Sequence, residues 1–132
     1  MLTRVPTTLP ADVEEVMFQA IGAAIEVHRH LGPGFLESIY HRALCVEFHQ
    51  RGVSFERKKR IAIVYKGQQL HVQELDLVVE SKVVVEVKAV SQLVEIHVSQ
   101  VVSYLKATGL RAGLLINFNK PVLKAGVRRI VL

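Results

Sequence analysis

Two segments in the first half of the chain repeat apolar residues at the spacing of an amphipathic helix. The first helix is predicted over about residues 12–31. Gly32-Pro33-Gly34 ends it, because glycine caps a helix and proline cannot continue one. The second helix is predicted over about residues 35–51 and ends at Gly52. Its expected buried stripe consists of Leu36, Ile39, Tyr40, Ala43, Leu44 and Phe48.

After these helices the apolar pattern changes from helical spacing to alternation. Strands are predicted over about residues 61–65, 69–79 and 83–90, a third helix over 93–108, and two more strands over 112–117 and 127–132. This order predicts an α/β sandwich around a mixed sheet, in which hairpins join three strands and a helical crossover leads to a fourth. Residues 1–11 contain two prolines and three threonines, and they are interpreted as a flexible lead-in to one domain over residues 12–132.

The composition narrows the class of protein. Half of the 132 residues are apolar, which is enough for a packed core in one domain. The single cysteine, Cys45, excludes an intrachain disulfide and suits a cytoplasmic protein. No apolar stretch is long enough to predict a signal peptide or a membrane partner. The net charge of +5 favours an anionic partner, and nucleic acid is one such partner.

The residues that suggest chemistry lie in the segment 74–88. If residues 80–82 form a three-residue hairpin loop, Asp76 faces Glu86 across two strands, with Cβ atoms about 5 Å apart. Lys88 then lies on the same face of the sheet. A two-residue loop would send Asp76 and Glu86 to opposite faces, so the predicted site requires the three-residue loop.

Two neighbouring carboxylates on an apolar sheet repel each other unless a cation lies between them. Two carboxylates, together with water and a substrate phosphate, are ligands typical of Mg²⁺. Asp76 and Glu86 are therefore candidate metal ligands, and the charge of Lys88 in the same space would stabilise an anion. The alternative is a salt-bridged surface on which Glu74, Asp76, Glu86 and Lys88 pair in solvent, and both interpretations stay open at this point.

The order of these residues is similar to a known signature. Asp76 followed by Glu86-Val87-Lys88 resembles the Asp…Glu-x-Lys signature of the PD-(D/E)XK nuclease superfamily. The segment Gly34-Phe35-Leu36-Glu37-Ser38-Ile39-Tyr40 is similar to the motif that names the GxxExxY family, a branch of that superfamily. The resemblance covers about residues 13–131, including 28–34, 65–67, 85–90, 100–106 and 113–118. It implies a nuclease-like αβββαβ core to which the first helix is an addition.

The resemblance also implies a role for each residue of the hairpin. Asp76 and Glu86 would bind Mg²⁺ or Mn²⁺ together with the backbone carbonyl of Val87, and Lys88 would be the catalytic lysine. One departure from the superfamily pattern is visible, because Leu75 stands where a proline precedes the aspartate. That proline is not a ligand, so the departure leaves the implied metal site complete.

Helical residues complete the implied site. Glu37 takes the place of the superfamily's helical acid, which touches the metal directly or through water, and Tyr40 on the next turn is expected to fix its rotamer. Glu37 also has an ordinary explanation, since an acid in the first helical turn complements the helix dipole. Gln100 and Tyr104 match a Gln-x-x-x-Tyr motif of DNA-processing members, and both are implied to be catalytic.

The densest basic run is Arg57-Lys58-Lys59-Arg60, a candidate nucleic-acid contact whose alternative is a solvated strand entry. The expected function is metal-dependent hydrolysis of phosphodiester bonds in DNA or RNA. A homodimer is expected, because cutting both strands of a duplex requires two sites. Two alternatives on the same fold are a module that binds nucleic acid without cutting it, and an interaction protein in which the acids are inert.

Overall fold

The computed structural model describes residues 8–132. Its elements are α1 (Ala11–Leu31), α2 (Glu37–Arg51), β1 (Phe55–Tyr65), β2 (Gln68–Val79), β3 (Val83–Lys88), α3 (Glu95–Thr108), β4 (Ala112–Asn117), a 3₁₀ helix (Leu123–Gly126) and β5 (Val127–Val131). This order confirms the predicted α/β class and the αβββαβ core with an added N-terminal helix. Residues 1–7, most of the proposed lead-in, lie outside the described residues.

The five strands form one mixed sheet in the order β1-β2-β3-β4-β5. Neighbouring strands are antiparallel except for β3 and β4, which are parallel because α3 crosses over between them. The β1–β2 pairing runs from Phe55–Val79 to Tyr65–Gln68, whereas β2 pairs with β3 only from Leu77 to Val79. The far part of the β1–β2 hairpin is therefore a two-stranded ribbon that extends beyond β3.

Two apolar layers enclose the sheet. One layer packs α1 and α2 against one face of the sheet, and the other packs α3 against the opposite face. Val83, Val85 and Val87 belong to the α1/α2 layer, and Val84 belongs to the α3 layer. Strand β3 is thus buried on both faces, which explains its nearly unbroken run of valines.

The hairpin between β2 and β3 has the three-residue loop that the sequence predicts. Val79 pairs with Val83 and Leu77 pairs with Val85, so residues 80–82 connect the strands. The first two loop residues, Glu80 and Ser81, have φ values of 53° and 56°. This register fixes which residues of the two strands can meet at their open end.

The boundaries of two elements differ from the prediction. Strand β1 begins at Phe55, not at Ile61, so the basic run lies within the first half of the strand, where Arg57, Lys58 and Arg60 are exposed. Helix α2 begins at Glu37, and Leu36 before it has extended backbone. Leu36 is 74% exposed and Ile39 is 39% exposed, so the buried stripe of α2 is narrower than expected.

The alternation of faces along β1 is interrupted in the middle of the strand. Phe55 and Ile61 should share a face, yet Phe55 packs in the α1/α2 layer and Ile61 in the α3 layer. Between them Lys58 has a φ of 53°, a left-handed conformation that is uncommon for residues other than glycine. On β2, Leu75 and Leu77 likewise pack in opposite layers. The alternation of side chains along β2 is therefore broken at Asp76, the residue between these two leucines.

None of the described helices is long and apolar enough to cross a membrane.

Candidate metal centre

Asp76 and Glu86 contact each other where β2 and β3 separate. Beyond the Leu77–Val85 pair, their carboxyl groups accept hydrogen bonds from the backbone. The Asp76 N–H donates to Glu86 Oε1 at 3.1 Å, and the Val87 N–H donates to Asp76 Oδ2 at 2.9 Å. Each carboxyl group is thereby held across the strand gap, next to the other.

The electrostatics of the pair are dominated by Glu86. Glu86 is only 6% exposed. Burial, together with the negative charge of Asp76, raises the pKa of Glu86 to about 8. The Asp76 backbone hydrogen bond and the charge of Lys88 act in the opposite direction. The salt-bridged, solvent-facing surface weighed from the sequence is therefore excluded for Glu86.

Glu37 is the first residue of α2 and faces the same site. Partial burial and then the charge of Asp76 raise the pKa of Glu37, while Lys88 and Lys58 lower it. Lys88 thus acts on the carboxyl groups of both Glu37 and Glu86. The chain brings together one acid from the start of a helix, two acids from a hairpin and one lysine from β3.

The α3 side contributes one of its two candidate residues. Tyr104 is 9% exposed, and its hydroxyl group accepts a hydrogen bond from Gln73 Nε2 at 3.3 Å. Burial, and then the negative charges of Glu86 and Asp76, raise the pKa of Tyr104. Gln100 is exposed, and within residues 8–132 its side chain makes no hydrogen bond.

A protein-family model of the PD-(D/E)XK nuclease superfamily matches the chain over residues 14–130. The chain belongs to this superfamily. No curated protein and no solved structure matches the chain significantly. Nucleases of this superfamily generally use divalent metal ions.

The acid pair of this superfamily member fits a divalent cation by its chemistry. The charge of Asp76 raises the pKa of Glu86, and a cation beside the pair would relieve this repulsion in place of the proton. No third side chain closes the site, since residues 8–132 contain no cluster of three or more His, Cys, Asp or Glu arranged for a metal. The remaining positions suit backbone carbonyls, water and substrate oxygen, as is usual for Mg²⁺.

His41 contacts the backbone of Asp76 and was not among the residues predicted from the sequence. The His41 ring is 5% exposed, and Nε2 donates to the backbone carbonyl of Asp76 at 3.1 Å. It lies one turn after Glu37 on α2, so one helix face supplies both residues. The signal available in the sequence was this four-residue spacing from the helical acid.

Asn117 is a second residue that sequence reasoning missed. This fully buried side chain bridges the segment after β3: Oδ1 accepts from the Val90 N–H at 3.0 Å, and Nδ2 donates to the Val90 carbonyl at 2.9 Å. Asn117 also pairs with Lys88 in the β3–β4 register. It fixes the backbone just beyond Lys88. In the sequence, Asn117 could have been recognised as a polar residue at the end of an apolar strand.

The hydroxyl group of Tyr40 does not orient Glu37, so that expectation is wrong. It donates to the Gly32 carbonyl at 2.5 Å and accepts from the Phe35 N–H at 3.1 Å. The Tyr40 ring stacks on Phe118, with ring centroids 4.7 Å apart. Tyr40 therefore shapes the turn before α2, and it sets where Glu37 begins the helix rather than which rotamer it adopts.

The four residues of the basic run lie in different surroundings. Arg57 and Lys58 line a small notch beside Asp76. Lys59 forms an ion pair with Glu56 at 3.0 Å, and Arg60 is exposed further along β1. The run is therefore not one uniform surface.

Proposed function

We propose that this protein is a metal-dependent phosphodiesterase that hydrolyses DNA or RNA at the Asp76–Glu86–Lys88 site. The observation that carries the proposal is the contact of two carboxyl groups, held by backbone N–H donors, where β2 and β3 separate. A non-catalytic protein gains nothing from a buried pair of like charges.

Asp76, Glu86 and the backbone carbonyl of Val87 would hold Mg²⁺ or Mn²⁺. When bound, such an ion polarises the phosphate and lowers the pKa of a water molecule. Lys88 acts on the carboxyl groups of Glu86 and Glu37, so its ammonium group is positioned to stabilise negative charge on the phosphate oxygens. Glu37 is exposed at the start of α2, and we assign it a water-mediated role rather than direct ligation.

A groove lined in part by Tyr104 is the proposed position of a nucleic-acid strand. It has a volume of about 580 Å³ and lies between the β1–β2 hairpin and α3. Tyr104 forms part of its wall, and Lys106 adds a positive charge there. Gln100, one turn before Tyr104, is exposed and is assigned a substrate contact. The basic run on β1, Arg57 to Arg60, provides contacts to the phosphates of the bound nucleic acid.

Finer features of the proposal concern the family and the assembly. The segment from Gly34 to Tyr40 favours membership of the GxxExxY family within the superfamily. A homodimer is part of the proposal, because two sites are needed to cut both strands of a duplex. Sedimentation analysis would measure it directly. The cytoplasm is the proposed compartment, since the chain's one cysteine, Cys45, is free.

Cleavage assays with single-stranded, duplex and branched DNA, and with RNA, test the proposed activity in Mg²⁺ and in Mn²⁺. Asp76→Asn and Glu86→Gln should each lower cleavage at least about 100-fold and weaken metal binding measured by calorimetry. Lys88→Met should lower cleavage while metal binding persists. The matched control is Glu95→Gln, which removes an exposed acid from the first turn of α3.

Two results would contradict the proposal. Equal metal affinity in the wild type and in both acid variants would show that the pair does not bind the ion. Metal and nucleic-acid binding without cleavage of any of the four substrates would instead identify a binding module.

A further inference from the structure

A small notch adjoins the acid pair on the side of α2 and β1. Its volume is about 160 Å³, and its lining residues are Glu37, Ser38, His41, Arg42, Arg57, Lys58 and Asp76. Three of these side chains are cationic and two are anionic. The notch is too small for a nucleotide base with its sugar, since small-molecule sites usually exceed about 300 Å³, but it accommodates one tetrahedral oxyanion.

The two arginines of the notch have free donors. Arg42 on α2 and Arg57 on β1 are both exposed, and among residues 8–132 neither guanidinium group makes a hydrogen bond or an ion pair. Other arginines are engaged: Arg51 pairs with Glu47 and Arg129 pairs with Glu14. A guanidinium group presents paired N–H donors that match the oxygens of a phosphate group.

The backbone of β1 is distorted so that two neighbouring cations reach the notch. Consecutive residues of a regular strand point to opposite faces, yet Arg57 and Lys58 line the same notch. The left-handed conformation of Lys58, φ 53°, accounts for this, and such a conformation costs roughly 1–2 kcal/mol in an L-residue. Lys58 also lies between the pairs Arg57–Leu77 and Lys59–Leu75, beside Asp76.

We propose that this notch binds one phosphate group of the nucleic-acid substrate through Arg42, Arg57 and Lys58, next to the acid pair. The phosphate is either a terminal phosphomonoester or an internal phosphodiester. The proposal rests on the proposed function for the identity of the substrate, but phosphate binding itself needs no metal. Glu37 and Asp76 also line the notch, and Lys58 is shared with Glu74 on β2, whose Oε1 lies 3.8 Å from Lys58 Nζ.

The test measures binding of the full chain to short DNA strands in EDTA by fluorescence anisotropy. One strand carries a 5′-phosphate and its twin carries a 5′-hydroxyl group, with the dye at the 3′ end of both. The double variant Arg42→Gln/Arg57→Gln removes two notch charges. The matched control, Arg111→Gln/Arg128→Gln, removes two exposed charges at β4 and β5. Thermal unfolding verifies that all variants fold.

The notch variant should bind the phosphorylated strand at least about 10-fold more weakly than the wild type, and the control should change affinity less than about 3-fold. A loss confined to the 5′-phosphorylated strand assigns a terminal phosphate, and an equal loss on both strands assigns an internal one. Equal effects of the notch and control variants overturn the proposal, as does no measurable binding by the wild type.

Cleavage assays separate this proposal from the proposed function. If the notch variant loses phosphate binding and the wild type cuts no substrate in Mg²⁺ or Mn²⁺, the notch assignment stands and the hydrolase assignment fails. If the wild type cuts DNA and the notch variant binds and cuts it equally well, the hydrolase assignment stands and the notch assignment fails.

Discussion

Glu86 carries the largest electrostatic strain among the acids of the site. Its folded-state pKa of about 8 lies above its ordinary value of 4.5, because the carboxyl group is buried next to Asp76. The folded protein therefore holds a proton that the unfolded chain releases. Without metal, the contribution of Glu86 to the free energy of unfolding is therefore fully present below about pH 4.5. It falls as the pH rises and is lost above about pH 8.

Glu86→Gln should remove this pH dependence, since glutamine stays neutral and its Oε1 atom can still accept the Asp76 N–H. In EDTA at pH 9 the variant should be more stable than the wild type by at least about 1 kcal/mol, and at pH 5 the two should be similar. Urea unfolding at several pH values measures the difference. A constant difference between pH 5 and pH 9 would contradict the pKa of Glu86, and Glu95→Gln serves as the exposed control.

At this scale the sequence predicted the identity of the acids but not their surroundings. The contact of Asp76 with Glu86 was expected from the three-residue loop, which depends only on neighbouring residues, but the break in alternation at Asp76 was not expected. The hydrogen bond from His41 to the Asp76 carbonyl joins residues 35 positions apart. The contacts of Tyr40 with the turn and with Phe118 depend on packing, which no local pattern reports.

At the scale of elements, an ion pair connects the first helix to the last strand. Glu14 on α1 is 6% exposed and is paired with Arg129 on β5. Arg129 therefore has a structural partner, whereas its neighbour Arg128 is simply exposed. A buried carboxylate that loses its partner remains desolvated without compensation, which is strongly destabilising.

Arg129→Ala should lower the free energy of unfolding by about 2–3 kcal/mol, less than for a wholly buried pair because Arg129 is 34% exposed. Arg128→Ala, the control on the same strand, should change it by less than about 0.5 kcal/mol. Chemical denaturation measures both values. Equal losses in the two variants would show that the ion pair contributes no net stability.

The order of elements followed from the sequence because helical and alternating periods differ clearly. The start of β1 did not, since Arg57, Lys58, Lys59 and Arg60 carry no apolar alternation to mark a strand. Pairing with β2 keeps these residues extended despite their charge. The break at Lys58 was equally hidden, because a left-handed residue other than glycine or asparagine leaves no mark in the sequence.

At the scale of the whole molecule, the net charge of +5 favours association with a polyanion such as DNA. Contacts between cations and phosphates release condensed counterions, so DNA affinity should fall steeply as the salt concentration rises. Neutralising residues 57–60 together should reduce the slope of log affinity against log salt by about 2–4, because each lost phosphate contact removes about 0.9.

Anisotropy titrations from 50 to 200 mM salt, about the range over which such contacts weaken, measure this slope. The control neutralises four cations elsewhere: Arg29, Arg111, Lys124 and Arg128. If both quadruple variants reduce the slope equally, DNA has no preference for the basic run of β1 over cations elsewhere on the surface, and the run is not a specific binding surface.

The ribbon formed by β1 and β2 beyond β3 affects how the molecule opens. Residues 68–72 of β2 pair with β1 alone and are mostly exposed, and a lone two-stranded hairpin is marginally stable in water. Amide hydrogens there should exchange with solvent through local fluctuations, whereas those of β3 and β4, buried between two layers, should exchange only when the whole domain unfolds. The ribbon can thus bend or fray around a ligand while the hydrogen bonds that hold Asp76 and Glu86 remain closed.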